Sequence, residues 1–231
     1  MNAGRLFGLG LGPGDPELVT LKAVRLLRGA AVVAYPAPKG GASFARGIVA
    51  AWLRPEQREI AIDFPMRPGP PPDDIYDGAA AAIAAELDQG SDVAVLCQGD
   101  PFFYGSFALI FTRLAPRYRV EVVPGVSSLT ACAAAAAAPL VARDDTVTVI
   151  PATLTQAELR RRLGGCEAAA ILKLGRHAGK VRAVLDELGL LERTIYVERA
   201  SLERERVARF ADIDPAAVPY FAMALLPADR R

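Results

Sequence analysis

The hydrophobic residues of the N-terminal half follow two alternating spacings. Residues 6–11 and 30–35 form continuous apolar runs, as does the stretch 92–97 after its first residue, Asp92; such runs are typical of strands buried on both faces of a parallel sheet. Residues 17–28 instead carry leucine and valine three positions apart, at Leu18, Leu21, Val24 and Leu27, as one face of a helix does. This alternation of strand and helix predicts a mainly parallel sheet covered by helices.

The C-terminal half begins in the same way and ends differently. Strands are predicted at 146–150 and 168–174 with a helix between them, but little helix separates the last three predicted strands, at 194–198, 206–210 and 220–226. Closely spaced strands favour hairpin-like pairing. We therefore expect an α/β protein with two α/β domains, at residues 1–116 and 117–231, the first with a mainly parallel sheet and the second with a mixed one.

Two stretches have an unusual composition. Residues 65–74 are rich in proline, which predicts an extended loop, either a substrate-facing flap or a plain connector. Residues 133–138 are six successive alanines that follow Cys132 and precede Pro139. Because alanine is the best helix former, we expect this run to lie in a tightly packed helix.

Length, charge and cysteine content exclude several classes of protein. The 231 residues can bury a substantial core, and no apolar run is long enough for a membrane span. The formal net charge of +1 gives no global field to gather nucleic acid. Cys97, Cys132 and Cys166 lack metal-ligand spacing, and His177, the single histidine, is interpreted as a polar surface residue. We expect a cytoplasmic protein with reduced cysteines, no metal, and no nucleic-acid or membrane partner.

Three predicted strands end in turns of glycine and proline, at residues 12–15, 99–101 and 124–125. Ligands of parallel sheets bind beyond the carboxyl ends of the strands, so these turns are expected to converge into a slot lined by backbone. A dinucleotide fingerprint is excluded, because Pro13 stands where its third glycine would be, and no Lys-Ser or Lys-Thr pair makes a phosphate loop. Asp15 is expected to cap the helix that follows the first turn.

The order and spacing of these turns resemble the tetrapyrrole methylase family. The resemblance is carried by Gly10-x-Gly12-Pro13-Gly14-Asp15-Pro16-x-Leu18-x-Thr20, Gly99-Asp100-Pro101 and Pro124-Gly125-Val126-Ser127-Ser128. Further stretches are similar to the members that methylate precorrin-2: Tyr35-Pro36 with Lys39 and Ser43, Phe64-Pro65-Met66, Phe102-Phe103-Tyr104-Gly105-Ser106, Pro139-Leu140 and Val149-Ile150-Pro151-Ala152. The resemblance implies a kidney-shaped fold of two domains, S-adenosylmethionine bound in a cleft between them, and a homodimer.

The resemblance also implies which residues bind the cofactor and what the reaction is. The cofactor positions are Pro13, Gln98, Gly99, Asp100, Phe103, Ser127, Ser128, Leu174, Ala200, Ala222 and Met223. For Leu174, Ala222 and Met223, an ordinary place in the core is the alternative. The implied reaction moves a methyl group from S-adenosylmethionine to C20 of precorrin-2 and gives precorrin-3A, a step of cobalamin biosynthesis.

A substrate with many carboxylates should meet basic side chains, and guanidinium groups bind carboxylates with two hydrogen bonds at once. The candidate substrate residues are Lys39, Tyr104, Arg143, Arg176 and Arg199. One proton must leave the acceptor carbon. Asp100 is the candidate catalytic residue, as proton acceptor or by orienting the macrocycle; the alternative is that its carboxylate caps the following turn.

Two other functions stay open at this stage. One is methyl transfer by the same fold to cobalt-precorrin-2 or to a different corrin carbon. The other is a regulator without catalysis, in which the glycine turns hold an adenosine ligand and nothing is transferred. A turnover assay separates them, because only the enzymes transfer label from the cofactor to the macrocycle.

Overall fold

The computed structural model describes residues 3–64 and 72–229 of the chain. They divide into two compact units, Met1–Ser127 and Ser128–Arg231, and each unit contains one five-stranded sheet. Most of the proline-rich loop predicted at 65–74 lies outside the described residues. Within the described ranges, each helix is too short or too polar to cross a bilayer.

The first sheet is parallel throughout, which confirms the prediction for the N-terminal half. Its strands lie in the order β3-β2-β4-β1-β5, and each neighbouring pair is parallel. They are β1 (Leu6–Gly10), β2 (Val32–Pro38), β3 (Arg58–Phe64), β4 (Val93–Cys97) and β5 (Val120–Val123). Because all five strands point the same way, their carboxyl ends share one edge, here called the carboxyl edge of the first sheet.

Helices cover both faces of this sheet. Alternate residues of β1 point to opposite faces: Leu6 packs with Ile83 and Phe107 in one hydrophobic cluster, whereas Phe7 packs with Leu27 in another. This burial on both faces explains why β1 and β4 are apolar runs without alternation. The helices are α1 (Leu21–Gly29), α2 (Phe44–Ile48), α3 (Asp73–Asp88) and α4 (Phe107–Leu114).

The boundary between the two units differs from the predicted one. The sequence placed it at 116/117, before β5, whereas the first compact unit continues to Ser127. The reason is that β5 pairs with β1 over Leu6↔Val120 to Leu9↔Val123 and so completes the first sheet. A short, partly polar strand gives no composition change that would mark it as the last strand of one unit.

The second sheet is mixed, as predicted. Its order is β6-β7-β10-β8-β9, in which only β6 and β7 are parallel and the other neighbours are antiparallel. Its strands are β6 (Val147–Pro151), β7 (Ala168–Leu172), β8 (Ile195–Glu198), β9 (Arg206–Arg209) and β10 (Ala222–Leu226). The helices of this unit are α5 (Ser128–Ala135), α6 (Gln156–Leu163) and α7 (Ala178–Glu187).

Two predicted helices are shorter than expected. The alanine run was predicted to be helical to residue 138, but α5 ends at Ala135 and Ala137 is left-handed, with φ +47°. The helix end is closed by two amide hydrogen bonds, from Ala138 to the carbonyl of Ala133 and from Ala137 to that of Ala134. The helix does not continue, because Pro139 disfavours helical backbone at the residue before it. Near the N-terminus, Asp15 caps only a 3₁₀ turn, Pro16–Leu18, and α1 begins later with its own cap at Thr20.

A charged network joins α2 to the edge strand β3. The Arg46 guanidinium donates from Nε and Nη2 to both carboxylate oxygens of Glu59, at 2.6 and 2.8 Å. The Tyr35 hydroxyl donates to the same carboxylate at 2.6 Å. Hydrogen bonding by Arg46 lowers the pKa of Glu59 from 4.5 to about 2, against the opposing effect of partial burial. The carboxylate therefore stays ionised and holds α2 against the strand.

Two glycines, one within α3 and one just after it, should respond in opposite ways to the same change. Gly78 is exposed inside the helix, and a Cβ there would meet none of the described atoms outside the helix backbone within 4 Å, so Gly78→Ala should raise the free energy of unfolding by about 0.5–1 kcal/mol. Gly90 follows the helix with φ +83°, so Gly90→Ala should lower it by about 1–2 kcal/mol. Urea denaturation measures both variants. Stabilisation by both, or by neither, would contradict the assigned end of α3.

The Glu59 network should make stability depend on pH in the acid range. A carboxylate whose pKa is lowered in the folded state stabilises above its ordinary pKa, and this contribution is lost as the pH falls through the folded value. Glu59→Gln should cost about 1 kcal/mol at pH 7, the scale of a partly exposed ion pair, and the difference from the parent should vanish between pH 4.5 and about 2.

The control for this test is Glu56→Gln, which removes a more exposed carboxylate paired with Arg54. Urea denaturation at pH 7 and at pH 2.5 gives the four differences needed. A Glu59→Gln deficit that is equally large at both pH values would show that the carboxylate charge is not what holds α2.

Candidate functional site

The glycine turns that follow β1 and β4 are joined at the carboxyl edge of the first sheet. The Gly99 amide donates to the Gly12 carbonyl at 2.7 Å, and the Gly12 amide donates to the Gly99 carbonyl at 3.3 Å. Both residues are left-handed, with φ +70° at Gly99 and +76° at Gly12, which glycine adopts without strain. The two strands thus end in one small antiparallel bridge.

The turn that follows β5 packs directly against the other two. A Cβ on Gly125 would lie 2.2 Å from the Gly99 carbonyl oxygen, and a Cβ on Gly10 would lie 2.4 Å from the Gly125 amide nitrogen. Neither distance is possible for a real side chain, so the three turns approach through bare backbone. The predicted convergence of the glycine turns is confirmed.

The Asp100 carboxylate links two of these turns. Its Oδ1 accepts from the Phe102 amide at 2.9 Å, which is the turn cap foreseen as the alternative reading of this residue. Its Oδ2 accepts from the Gly125 amide at 3.0 Å, a contact that sequence reasoning missed. The signals available were the Asp100-Pro101 and Pro124-Gly125 pairs, but nothing in them says that the two turns meet. The role of Asp100 as proton acceptor stays a prediction.

The other predicted cofactor residues of the first unit surround this junction. Pro13 is buried in the turn after β1, and Gln98 is half-buried directly after β4. At Gly99, by contrast, a Cβ would meet none of the described atoms within 4 Å, so its Cα faces open space. Ser127 is the last residue of this unit, and Ser128 begins α5 as the first residue of the next.

An aromatic loop follows the Asp100 turn. Phe102 anchors it by packing on Phe107 and Phe111, with ring centroids 6.0 and 5.0 Å away. Phe103 and Tyr104 stay 37% and 50% exposed and meet edge to face at 5.2 Å. Tyr104 is left-handed, with φ +58°. The loop therefore presents these two rings to solvent at the carboxyl edge of the first sheet, together with part of Phe102, which is itself 52% exposed.

In the second unit, one edge collects the four predicted cofactor residues. Strands β6, β7 and β8 point the same way and end at this edge, here called the carboxyl edge of the second sheet, where β10 begins between β7 and β8. Leu174 follows β7, Ala200 follows β8, and Ala222 and Met223 open β10. Leu174, Ala200 and Met223 are buried in the hydrophobic clusters of the unit, so part of each side chain serves the core.

The predicted basic residues are only partly brought together. Arg176 and Arg199 lie just after β7 and β8, at the carboxyl edge of the second sheet, and Lys39 is exposed just after β2, at that of the first. Arg143 precedes β6 and therefore lies towards the opposite edge of the second sheet. The exposed Lys173, directly after β7, was missed, because no motif marks it.

Several of these positions carry backbone strain. Tyr104, Arg143 and Arg199, three of the predicted substrate residues, hold φ between +50° and +58°, and Lys173 holds φ +60°. Non-glycine residues in this region cost about 1–2 kcal/mol each, and such residues cluster at ligand sites, where the strain fixes a side chain in place.

The titratable groups near the two carboxyl edges are shifted mainly by burial. Burial, assisted by the charge of Asp100, raises the pKa of the Cys97 thiol, and burial raises the pKa of Cys132 to about 12. Partial burial and the charges of Lys180 and Arg176 lower the pKa of His177. The three cysteines are free thiols. Among the described residues, His, Cys, Asp and Glu nowhere form a group of three that could hold a metal ion.

Comparison with known proteins shows which proteins this chain is similar to. The chain is 41% identical to a precorrin-2 C(20)-methyltransferase of a Sinorhizobium species, over 98% of this chain and 96% of that protein. It is 47% identical, over 99% of its length, to the cobalamin biosynthesis protein CobIJ of Mycobacterium bovis, but it covers only 47% of that protein. The chain thus spans about half the length of this relative.

Solved structures and a family profile agree. A uroporphyrin-III C-methyl transferase of Thermus thermophilus, complexed with S-adenosyl homocysteine, matches with a TM-score of 0.69 at 28% identity, over 97% of this chain and 92% of that one. The profile of the Tetrapyrrole (Corrin/Porphyrin) Methylases matches residues 5–212, which include the first sheet, the three glycine turns and every strand of the second sheet except β10. The chain belongs to the tetrapyrrole (corrin/porphyrin) methylase family.

Proposed function

We propose that this protein transfers a methyl group from S-adenosylmethionine to C20 of precorrin-2 and gives precorrin-3A, a step of cobalamin biosynthesis. The observation that carries the proposal is the match to a precorrin-2 C(20)-methyltransferase along nearly the whole of both chains. Membership of the methylase family supports the class of reaction independently of that one relative.

The carboxyl edge of the first sheet suits S-adenosylmethionine as the methyl donor. The donor brings a sulfonium methyl that is already activated, so the protein needs neither a metal nor a nucleophilic side chain. The open space beside Gly99 lets a ligand approach the backbone closely. The Asp100 carboxylate places a negative charge at this junction, which favours a positively charged ligand.

In this proposal the chain contributes placement. The slot fixes the methyl carbon in line with the acceptor carbon, and such alignment supplies up to about 7–11 kcal/mol of the barrier. Pro13, Gln98 and Gly99 are the proposed contacts from the first unit, together with Phe103, Ser127 and Ser128. From the second unit the proposed contacts are Leu174, Ala200, Ala222 and Met223.

The tetrapyrrole substrate is flat and carries carboxylates at its rim. The exposed rings of Phe103 and Tyr104 offer a surface for a flat macrocycle. Arg176, Arg199 and Lys39 are proposed to bind the carboxylates, because they lie at the two carboxyl edges. Arg143, which precedes β6, is also a proposed contact. A homodimer, implied by the family resemblance, and a cytoplasmic location, expected from the sequence, are also proposed.

A turnover experiment tests the proposal. The protein is incubated with S-adenosylmethionine labelled with ¹³C in its methyl group and with precorrin-2, and the product is examined by NMR. We expect one labelled methyl group at C20. A parallel incubation with cobalt-precorrin-2 decides which form of the substrate is used.

Other outcomes would overturn specific parts of the proposal. Label at another carbon would identify a sibling methylase of the same fold. Binding of S-adenosylhomocysteine by calorimetry without any transfer, on either substrate, would favour the regulator. A heat-inactivated sample controls for chemical methylation.

A glycine substitution tests the junction of the turns separately. In Gly125→Ala the added Cβ meets the Gly99 carbonyl and the Gly10 backbone, which cannot move cheaply. We expect a loss of about 1–3 kcal/mol in stability and a fall of at least about tenfold in affinity for S-adenosylhomocysteine. The matched control is Gly47→Ala in α2, where a Cβ meets no atom within 4 Å. Equal affinities of both variants and the parent would show that the junction does not form the cofactor slot.

A further inference from the structure

We propose that Asp100 is a positioning residue: its carboxylate holds the turn after β5 against the turn after β4 and thereby sets the width of the slot for the methyl donor. This assignment rests on the proposed function, since it concerns the same slot. It gives Asp100 a role different from that of the proton acceptor considered from the sequence.

The Asp100 carboxylate is placed to hold two turns together. Its two oxygens serve two different turns: Oδ1 accepts from the Phe102 amide at 2.9 Å, inside its own turn, and Oδ2 accepts from the Gly125 amide at 3.0 Å, twenty-five positions along the chain. Hydrogen bonds to an ionised acceptor are roughly twice as strong as neutral ones. Asp100 is thus a charge-assisted cross-link between two strand ends.

This cross-link acts beyond the end of the pairing between β1 and β5. The ladder between β1 and β5 ends at the pair Leu9↔Val123, so the turn that contains Gly125 lies beyond the last rung. A Cβ built on Gly125 would lie 2.2–2.8 Å from backbone atoms of Gly99 and Gly10. Backbone packed this closely leaves little room for the turn to move. The Asp100–Gly125 hydrogen bond fastens the turn at the point where the sheet no longer does.

Uptake of a proton would weaken the hydrogen bonds that Asp100 accepts. If Asp100 took a proton from the substrate, one of its oxygens would become a hydroxyl, and a neutral carboxyl group is a weaker acceptor for the two amides. Accepting the proton would therefore loosen the junction during the reaction. Holding both turns and accepting the substrate proton are thus conflicting roles for one carboxylate.

The test compares Asp100→Asn with Asp100→Ala. Asparagine keeps one acceptor oxygen and turns an amino group towards the other amide, so it preserves at most one of the two hydrogen bonds; alanine preserves neither. We expect the dissociation constant for S-adenosylhomocysteine to rise by about 10-fold in Asp100→Asn and by about 100-fold in Asp100→Ala. At saturating S-adenosylmethionine, kcat should recover to within about threefold of the parent, and its pH profile should keep its shape.

The control is Asp214→Asn, which makes the same chemical change at a carboxylate that caps a turn through the Ala216 amide and, within the described part of the chain, accepts no hydrogen bond from a second segment. Its dissociation constant should equal that of the parent. Asp100→Asn keeps an acceptor oxygen for one of the two amides, so a folded variant is available even if Asp100→Ala unfolds; circular dichroism checks both.

The possible outcomes distinguish failure of the positioning role from failure of the proposed function. If Asp100→Asn binds S-adenosylhomocysteine like the parent and loses kcat at saturating donor, Asp100 is a proton acceptor and the positioning role is wrong. If both variants equal the parent in affinity and in kcat, the cross-link has no function in the slot. If the parent itself fails to bind S-adenosylhomocysteine, the proposed function fails, and the role of Asp100 with it.

Discussion

The contact of three backbone turns at the carboxyl edge of the first sheet is the constraint on which the site depends. Strands β4, β1 and β5 are neighbours in that order, so the turns that follow them are neighbours as well. Gly10 and Gly125 touch without side chains, and Gly12 and Gly99 exchange amide hydrogen bonds. Parallel order thus places the turns together, and glycine lets them close.

The sequence predicted this arrangement to a considerable depth. Parallel strands could be inferred because β1 and β4 are apolar at each position, and the turns could be placed because glycine and proline follow those strands directly. The mixed second sheet could be inferred from the short intervals between its last strands. In each of these cases the information is local, within about ten residues of the feature that it determines.

What the sequence could not supply depends on contacts between distant residues. The end of the first unit was misplaced because β5 belongs to it through pairing with β1, more than a hundred positions earlier. The Asp100–Gly125 hydrogen bond has the same character, since each residue has a sufficient local explanation as a turn former. The early end of α5 at Ala135 required weighing Pro139 against the propensity of alanine, and the proline prevailed.

The residues with positive φ angles show how the carboxyl edges of the two sheets differ. At the first sheet the positive φ angles beside the strand ends fall mostly on glycine, where they cost little, and the result is an edge made of backbone. At the second sheet, Lys173 and Arg199 take the same conformation immediately after β7 and β8, at a cost of about 1–2 kcal/mol each. A lysine and an arginine thus stand directly after two strand ends of the second sheet. An edge of bare backbone lets a compact ligand approach closely, whereas cations at an edge can bind carboxylates. For methyl transfer, in which reactivity resides in the donor, these two kinds of edge are the parts that a protein needs to supply.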